Sequence, residues 1–352
     1  MSIVDRIFAP FSRDIGIDLG TANTLVYVRG KGIVINEPSV VALNTTTNSV
    51  LAIGKEAQRM VGRTPAHIVA VRPLRDGVIS DFEVTEQMLR YFIQKVHEEG
   101  FHLLPRPRVV IGLPSSVTEV ERRAVEESTL RAGARRVFLI EEAMATAIGA
   151  RMPVHEATGN MVVDIGGGTT DIAIISLGGI VVSKTLRIAG DEMNENIVQY
   201  ARENFNLLLG ERTAEQIKVR IGSAIDLPEQ LETPVRGRDI VTGLPKEIIM
   251  NSAQVQEAIH RSINTIVDAV KMAIEETPPE LISDIIEQRI VLAGGGGLIR
   301  GLDQVITEAT QIRTRITDDP LTAVVRGTGI VLEDIEAVQE MLLPSVHDKV
   351  LR

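Results

Sequence analysis

The sequence predicts an α/β protein of two duplicated halves, each a sheet with helices around it and each interrupted by a smaller inserted subdomain. Three observations predict it. The stretches Asp14–Thr24 and Met161–Asp171 both run through an apolar strand pattern to an aspartate, a glycine-threonine turn and a returning apolar run. The two aspartates, Asp18 and Asp164, are separated by a little under half of the 352-residue chain, as a duplication with unequal insertions would leave them. Amphipathic helical stretches alternate with strands on either side of both marks.

Along the chain, Ile15, Ile17 and Leu19 alternate with Gly16, Asp18 and Gly20, and Leu25–Val28 resumes the strand, so the first stretch reads as a hairpin across a polar turn. Residues 30–70 interrupt the repeat as a candidate insertion. Ser116 or Thr118 can cap a helix, through Ser116-x-x-Glu119 or Thr118-x-x-Glu121, with Gly133 as the stop. After the second stretch, Ile172–Ile175 is the returning strand, and residues 180–250 are a second candidate insertion. From Ser252 to Thr277, the residues Val255, Ile259, Ile263, Ile266, Val270 and Ile274 form one stripe of a core helix, which Pro278-Pro279 ends. Arg289–Gly301 reads as a buried strand running into four glycines and then a helix, and Asp319-Pro320 as a cap followed by proline in the first turn.

Composition removes several classes of function. Hydrophobic residues at 44% and charged residues at 24% are the balance of a globular protein. Lys and Arg number 37 against 47 Asp and Glu, a net charge of -10, which argues against nucleic-acid binding through a general positive field. The absence of cysteine excludes disulfides, thiol nucleophiles and thiolate metal sites. No apolar run is long enough for a membrane helix, since Pro38–Gly54 is broken by Asn, Thr and Ser. Asp5 and Arg6 interrupt the short apolar pattern of Met1–Arg13, unlike a secretory segment, so the expected location is the cytoplasm.

Glycines at a strand end let backbone N–H groups converge on phosphate oxygens, and neighbouring threonines add donors. A carboxylate on each strand, Asp18 and Asp164, would repel phosphate without a cation between, so the pattern implies Mg²⁺ held through its hydration shell. The run Gly294, Gly295, Gly296, Gly297 offers no side chains to obstruct a flat nucleoside, with the following helix N-terminus adding positive potential. Together these elements describe a nucleoside triphosphate in a cleft between the halves. A single glycine turn is most often only a tight turn; the weight comes from three in order. Neither G-x-x-x-x-G-K-[ST] nor G-x-G-x-x-G occurs, which disfavours P-loop and Rossmann designs.

The segments IDLGTANT, LIEEAMATAIGA, VVDIGGGTTD, GERTAEQIK and LAGGGGLIRG stand in the order found in the actin-like ATPases of the actin, Hsp70 and sugar kinase superfamily. With NEPSVVAL at Asn36 and RPLRDGVISDF at Arg72, the chain from about Asp14 to Ile335 resembles the MreB family of bacterial actins. The resemblance implies an actin-like fold. Its first core domain would be 1–30 with 71–150 and 320–352, carrying 31–70 as an insertion; its second would be 151–180 with 251–319, carrying 181–250. It places Gly20, Thr21, Ala22 and Asn23 in the first phosphate turn, and Gly166, Gly167, Gly168 and Thr169 in the second. Asp18 and Asp164 would organise Mg²⁺ and water. Glu215, Gln216, Ile217 and Lys218 would meet adenosine and ribose, with Gly294–Gly297 supplying the remaining contacts. Glu142, with Thr169 and Asp164, would position the hydrolytic water, Glu141 being the other acid of the pair. Ala143 stands where proline usually follows that pair, and Asp171 where glutamate often ends the second turn.

Other constellations are open to two readings. His97 and His102 are five residues apart with Gly100 between, unlike the i, i+4 spacing of a zinc helix. Phe101, Leu103 and Leu104 form either a loop tucked on the core or one that touches membrane beside Arg106 and Arg108. Ile3, Val4, Ile7, Phe8 and Phe11 share a helical face that would be a membrane anchor or a strap on the first domain. Glu119, Glu121, Arg122, Arg123, Glu126 and Glu127 read as a solvated helix face, with a filament contact as the alternative.

The resulting expectation is a slow Mg²⁺-dependent ATPase that forms homopolymeric filaments at the inner face of the cytoplasmic membrane. The resemblance implies a role in cell-wall synthesis and rod shape, with cell-wall elongation membrane proteins as partners. An actin-fold small-molecule kinase is the alternative, for which no acceptor motif is evident. A chaperone would need a large C-terminal peptide-binding domain, for which the sequence leaves no room.

Overall fold

The structure, a computed structural model, describes residues 13–98 and 106–345. It divides into two compact units. The first holds the described residues through Ala157, the short segment Ile175–Ile180 and the described residues from Thr322 onward; the second holds Thr158–Ile174 and Val181–Leu321.

The first unit is built on a six-stranded sheet whose order, edge to edge, is Leu342–Leu343, Arg136–Glu141, Arg108–Leu113, Ile15–Leu19, Asn23–Val28 and Gly32–Pro38. The predicted hairpin is its centre: Ile15–Leu19 pairs antiparallel with Asn23–Val28, setting Asp18 opposite Leu25, and parallel with Arg108–Leu113, setting Asp18 beside Gly112. Both faces of a central strand are covered, so Ile15, Ile17, Val109 and Ile111 are wholly buried, packed with Met88, Leu89, Phe92 and Ile93 of the helix Phe82–His97. Asp81 caps that helix by accepting from Val84 N–H at 3.1 Å. A small sheet with Val41–Asn44 at its centre, flanked by Ser49–Ile53 and Ile68–Val71, forms a satellite core around Val40, Ala42 and Ala57.

A second sheet, largely in the second unit, runs Gly179–Leu186, Thr170–Ser176, Asn160–Ile165, Ile290–Ala293, Thr314–Ile316. Counting each sheet's strands in chain order from the strand before its glycine turn, both run third, second, first, fourth, fifth, and the first sheet adds Leu342–Leu343 as a sixth at the far edge. The first-to-fourth pairing is parallel in both, with Asp164 beside Ala293 as Asp18 is beside Gly112. The sequence repeat is therefore a repeat of topology. The helix Ser252–Glu275 buries Val255, Ile259, Ile263, Ile266 and Val270 in this core, with Ile274 partly buried against it. A three-stranded sheet, Leu207–Leu208, Glu232–Asp239 and Pro245–Asn251, belongs to the second unit.

Several local expectations resolve or change. Thr118, not Ser116, caps the helix Glu119–Arg131, in a reciprocal capping box with Glu121. On that helix Glu126 is buried and accepts from Ser345 Oγ at 2.6 Å, so it leaves the solvated face. Asn251 and Gln254 form a second capping box, missed because the asparagine also ends a strand. Asp319-Pro320 opens a 3-10 turn, Pro320–Thr322, and the α-helix Ala323–Glu333 begins only after it. The helix after the glycine run starts at Leu302, behind a 3-10 turn at Gly296–Leu298, so its N-terminus does not adjoin the glycines as expected.

Candidate functional site

In the first unit, the turn Gly20–Ala22 joins two paired strands and is held from outside its own hairpin. Fully buried Ser39 donates to Gly20 O at 2.6 Å, its hydroxyl lies 2.8 Å from Thr24 Oγ1, and its N–H donates to Ala22 O at 3.0 Å. The N–H of Gly77 donates to Thr21 Oγ1 at 3.0 Å, leaving that hydroxyl's own proton to be donated elsewhere. Gly20 itself is required, because an added Cβ would stand 2.7 Å from Asn23 O. Asp18 and Ala22 are half-buried, Thr21 is buried and Asn23 exposed. Ser39 and Gly77 lie within the two segments that resemble the bacterial actins outside the glycine turns, and they fix this turn.

Glu141 and Glu142 separate clearly. Glu141 closes the strand Arg136–Glu141 and accepts a hydrogen bond from Ser115 Oγ. Glu142 opens the helix Glu142–Gly149 and is half-buried. Gly112, at the end of the adjacent strand, leaves space for its side chain: a Cβ there would lie 3.2 Å from Glu142 Cγ. The rest of the AMATAIGA stretch is a packing device. Gly149 and Gly327 allow the helix Glu142–Gly149 to press on Ala323–Glu333, since a Cβ on either would fall on the facing carbonyl of Ala323 or Ala145.

In the second unit, Gly166 and Gly167 are half-buried, whereas Gly168, Thr169 and Asp164 are buried. The turn closes through Gly166 N–H to Thr169 O at 2.8 Å. Its carbonyls are bound by the start of the helix Gly190–Phe205: Gly190 N–H donates to Gly166 O at 3.1 Å and Asp191 N–H to Gly167 O at 2.8 Å. Asp171 is buried and accepts from Thr185 Oγ1 at 2.6 Å.

Of the four glycines in the run, Gly294 is half-buried and Gly295 exposed, while Gly296 and Gly297 are buried. A Cβ on Gly294, at φ +75°, would strike Ile165 O and Asp164 Oδ1, and one on Gly296 would strike Ile165 Cγ2. These two glycines therefore serve close approach to the strand that carries Asp164, and Gly294 and Gly295 are the two with surface to offer a ligand.

On the helix Glu211–Ile221, Glu215 and Gln216 are exposed, Lys218 is buried, and Ile217 packs into the apolar core, so its side chain is not available to a nucleotide. Lys218 Nζ donates to Gly190 O at 2.7 Å and pairs with Glu215 Oε2 at 2.8 Å.

The remaining candidates fall elsewhere. Ile3, Val4, Ile7, Phe8, Phe11, Phe101, Leu103, Leu104 and His102 lie outside the described residues. His97 is buried; its Nε2 accepts from Arg13 N–H at 3.2 Å, which assigns the ring proton to Nδ1, 2.7 Å from Ile93 O. Both ring nitrogens are engaged by the fold, not by a metal. Arg108, which the membrane reading of the neighbouring loop set beside lipid, is turned inward, with Nη2 at 2.6 Å from Asp14 Oδ2.

The MreB/Mbl protein family model matches residues 12–340. The chain is 54% identical over 330 residues to the cell shape-determining protein MreB of Escherichia coli, covering 93% of this chain and 95% of that one. It is 49% identical over 333 residues to the cell shape-determining protein Mbl of Bacillus subtilis, covering 95% and 99%. Solved structures of MreB5 of Spiroplasma citri, one bound to ADP and one to AMPPNP, superpose with a TM-score of 0.88 at 40% identity, over 94% of this chain and 98% of that one. The family match over nearly the full length, with one actin-like fold in which the same strand order occurs twice, makes this chain a member of the MreB/Mbl family of cell shape-determining cytoskeletal proteins.

Proposed function

We propose that the chain is a Mg²⁺-dependent ATPase whose nucleotide state governs its assembly into filaments. The observation that carries the reading is the pair of equivalent strand-aspartate-turn elements, one in each unit, each fixed by hydrogen bonds from outside the turn and each partly open to solvent. The ADP and AMPPNP complexes of the Spiroplasma relative support it.

The residues take distinct roles. N–H groups of Gly20–Ala22 and Gly167–Thr169, with the Thr21 and Thr169 hydroxyls, receive phosphate oxygens, the Gly166 N–H being spent on closing its own turn. The donor chemistry fits Mg²⁺: Asp18 and Asp164 each offer hard carboxylate oxygens at a strand end, and this ion is commonly held by one or two carboxylates, water and phosphate. When bound, it supplies neutralising charge for the phosphates. Glu142, in the space left by Gly112, aligns the attacking water and takes its proton. Glu215 and Gln216 meet the ribose and base, with Gly294 and Gly295 beside them.

Filaments would attach to the inner face of the cytoplasmic membrane through the apolar faces of residues 3–11 and 101–104, where cell-wall elongation membrane proteins would be met. For one subunit the gain from burying these apolar residues is largely offset by the cost of ordering the backbone that carries them, and repetition along a polymer raises the effective concentration of the next contact. Electron microscopy and pelleting of purified protein with ATP, Mg²⁺ and phosphatidylglycerol vesicles test the reading. Membrane-bound filaments that need ATP are expected. Monomers that phosphorylate an added metabolite would overturn it.

A further inference from the structure

The second phosphate turn is joined to the helix Glu211–Ile221 by an unbroken chain of polar contacts within one unit. Gly166 and Gly167 carbonyls accept from the Gly190 and Asp191 N–H groups, at 3.1 and 2.8 Å. The carbonyl of Gly190 accepts from Lys218 Nζ at 2.7 Å. Lys218 Nζ pairs with Glu215 Oε2 at 2.8 Å, and the same oxygen accepts from Asn194 Nδ2 at 2.8 Å. The lysine side chain is 9% exposed, so these partners take the place of water around its Nζ. Gly190 fits because it lacks a side chain: an added Cβ would lie 3.1 Å from Lys218 Nζ and 3.2 Å from Gly166 O.

Asn194 adds an independent observation. It is buried, its Nδ2 is used on Glu215, and its Oδ1 has no hydrogen-bond partner among the described residues. Turning the amide over would set that oxygen against the Glu215 carboxylate. An orphaned acceptor in a core costs free energy, so an asparagine here is explained by what it does to Glu215 and not by packing.

We infer that Lys218 is a positioning residue that braces the phosphate turn through Gly190, and that Asn194 and Glu215 complete the brace. Family resemblance assigns Lys218 only to the adenosine side. The geometry makes it a strut by which the adenosine-side helix fixes the turn for the phosphates. The inference rests on the nucleotide reading above and deepens it.

The test compares the parent full chain with Lys218→Met and Gly190→Ala. Affinities for ATP, ADP and adenosine are measured by displacement of a fluorescent ATP analogue. Loss of one charge-assisted contact in the brace should weaken ATP and ADP by about tenfold or more, with adenosine changed by less than about twofold. Equal losses for all three ligands would make Lys218 a direct adenosine contact and overturn the brace. Amide exchange without nucleotide gives a second readout. Gly190 and Asp191 should exchange at least about tenfold faster in Lys218→Met while Val163, within the central strand, is unchanged; unchanged protection at Gly190 and Asp191 would also overturn it. Asn194→Leu should leave the thermal midpoint equal or higher yet weaken ATP binding, whereas unchanged binding would remove Asn194 from the brace. A parent chain that binds no ATP would refute the nucleotide reading, while the exchange measurement would still judge the brace.

Discussion

Gly112 and Glu142 are 30 residues apart in the chain, yet the missing side chain of one makes the space for the other: a Cβ on Gly112 would come within 3.2 Å of Glu142 Cγ and 3.1 Å of Val324 Cγ1. The strand Arg108–Leu113 thus fixes where the proposed hydrolytic acid can stand, and the hydrogen bond from Ser115 keeps its neighbour Glu141 in a separate place.

Gly112→Ala should therefore act on chemistry more than on stability. Overpacking at this spacing costs about 1 kcal/mol or somewhat more, while displacement of a water-aligning carboxylate should slow hydrolysis by about tenfold or more. Single-turnover phosphate release and denaturant unfolding, measured on the same preparation, separate the two effects. A large stability loss with the parent rate would show that Gly112 serves packing alone.

The crossing of Glu142–Gly149 with Ala323–Glu333 predicts a harsher result. Gly149→Ala or Gly327→Ala would drive a methyl group onto a backbone carbonyl, which cannot rotate aside as a flexible side chain can. Each should cost about 3 kcal/mol or more, or prevent folding. Gly30→Ala is the control: with nothing within 4 Å of an added Cβ, it should cost only the strain of its φ of +76°, about 1 kcal/mol. Urea unfolding of the three variants ranks them.

Asp239 ends the strand Glu232–Asp239 and accepts from the N–H groups of Val241 and Thr242, both at 2.9 Å, with Lys246 Nζ at 3.0 Å. The Thr242 N–H first, then Lys246, hold its carboxyl down to about 2, from 3.8. The folded value is the lower one, so its support of the hairpin is fully present above 3.8 and is lost as pH falls through about 2. Carbon NMR titration of the Asp239 carboxyl should show a midpoint near 2, and Asp239→Asn should remove that part of the hairpin's acid sensitivity. A midpoint near 3.8 would contradict the hydrogen-bonded geometry.

What could be read from the sequence was local. Ile15, Ile17 and Leu19 alternate at period two and end in glycine and threonine, so strand and turn followed directly. Thr118 and Glu121 are three residues apart, the range over which a capping box acts. What could not be read depends on residues far apart in the chain. Ser39 and Gly77 reach back to the first turn from distant segments, and no spacing rule marks a serine or glycine for that task. Glu126 looks like any surface acid until Ser345 folds over it. Ile217 shows how a motif can mislead, because residues within a nucleotide-site signature also serve the core of the helix that carries it.

In the proposed site, holding the nucleotide and aligning the water that cleaves it fall chiefly to different residues. The most direct test is ATP binding and single-turnover hydrolysis, measured side by side for the parent, Glu142→Ala and Asp164→Ala. Glu142→Ala should bind ATP within about threefold of the parent but hydrolyse it about 10² to 10⁴ times more slowly. Asp164→Ala should weaken Mg²⁺-dependent binding itself. Hydrolysis at the parent rate by Glu142→Ala, or undiminished Mg²⁺-dependent binding by Asp164→Ala, would contradict this division of tasks.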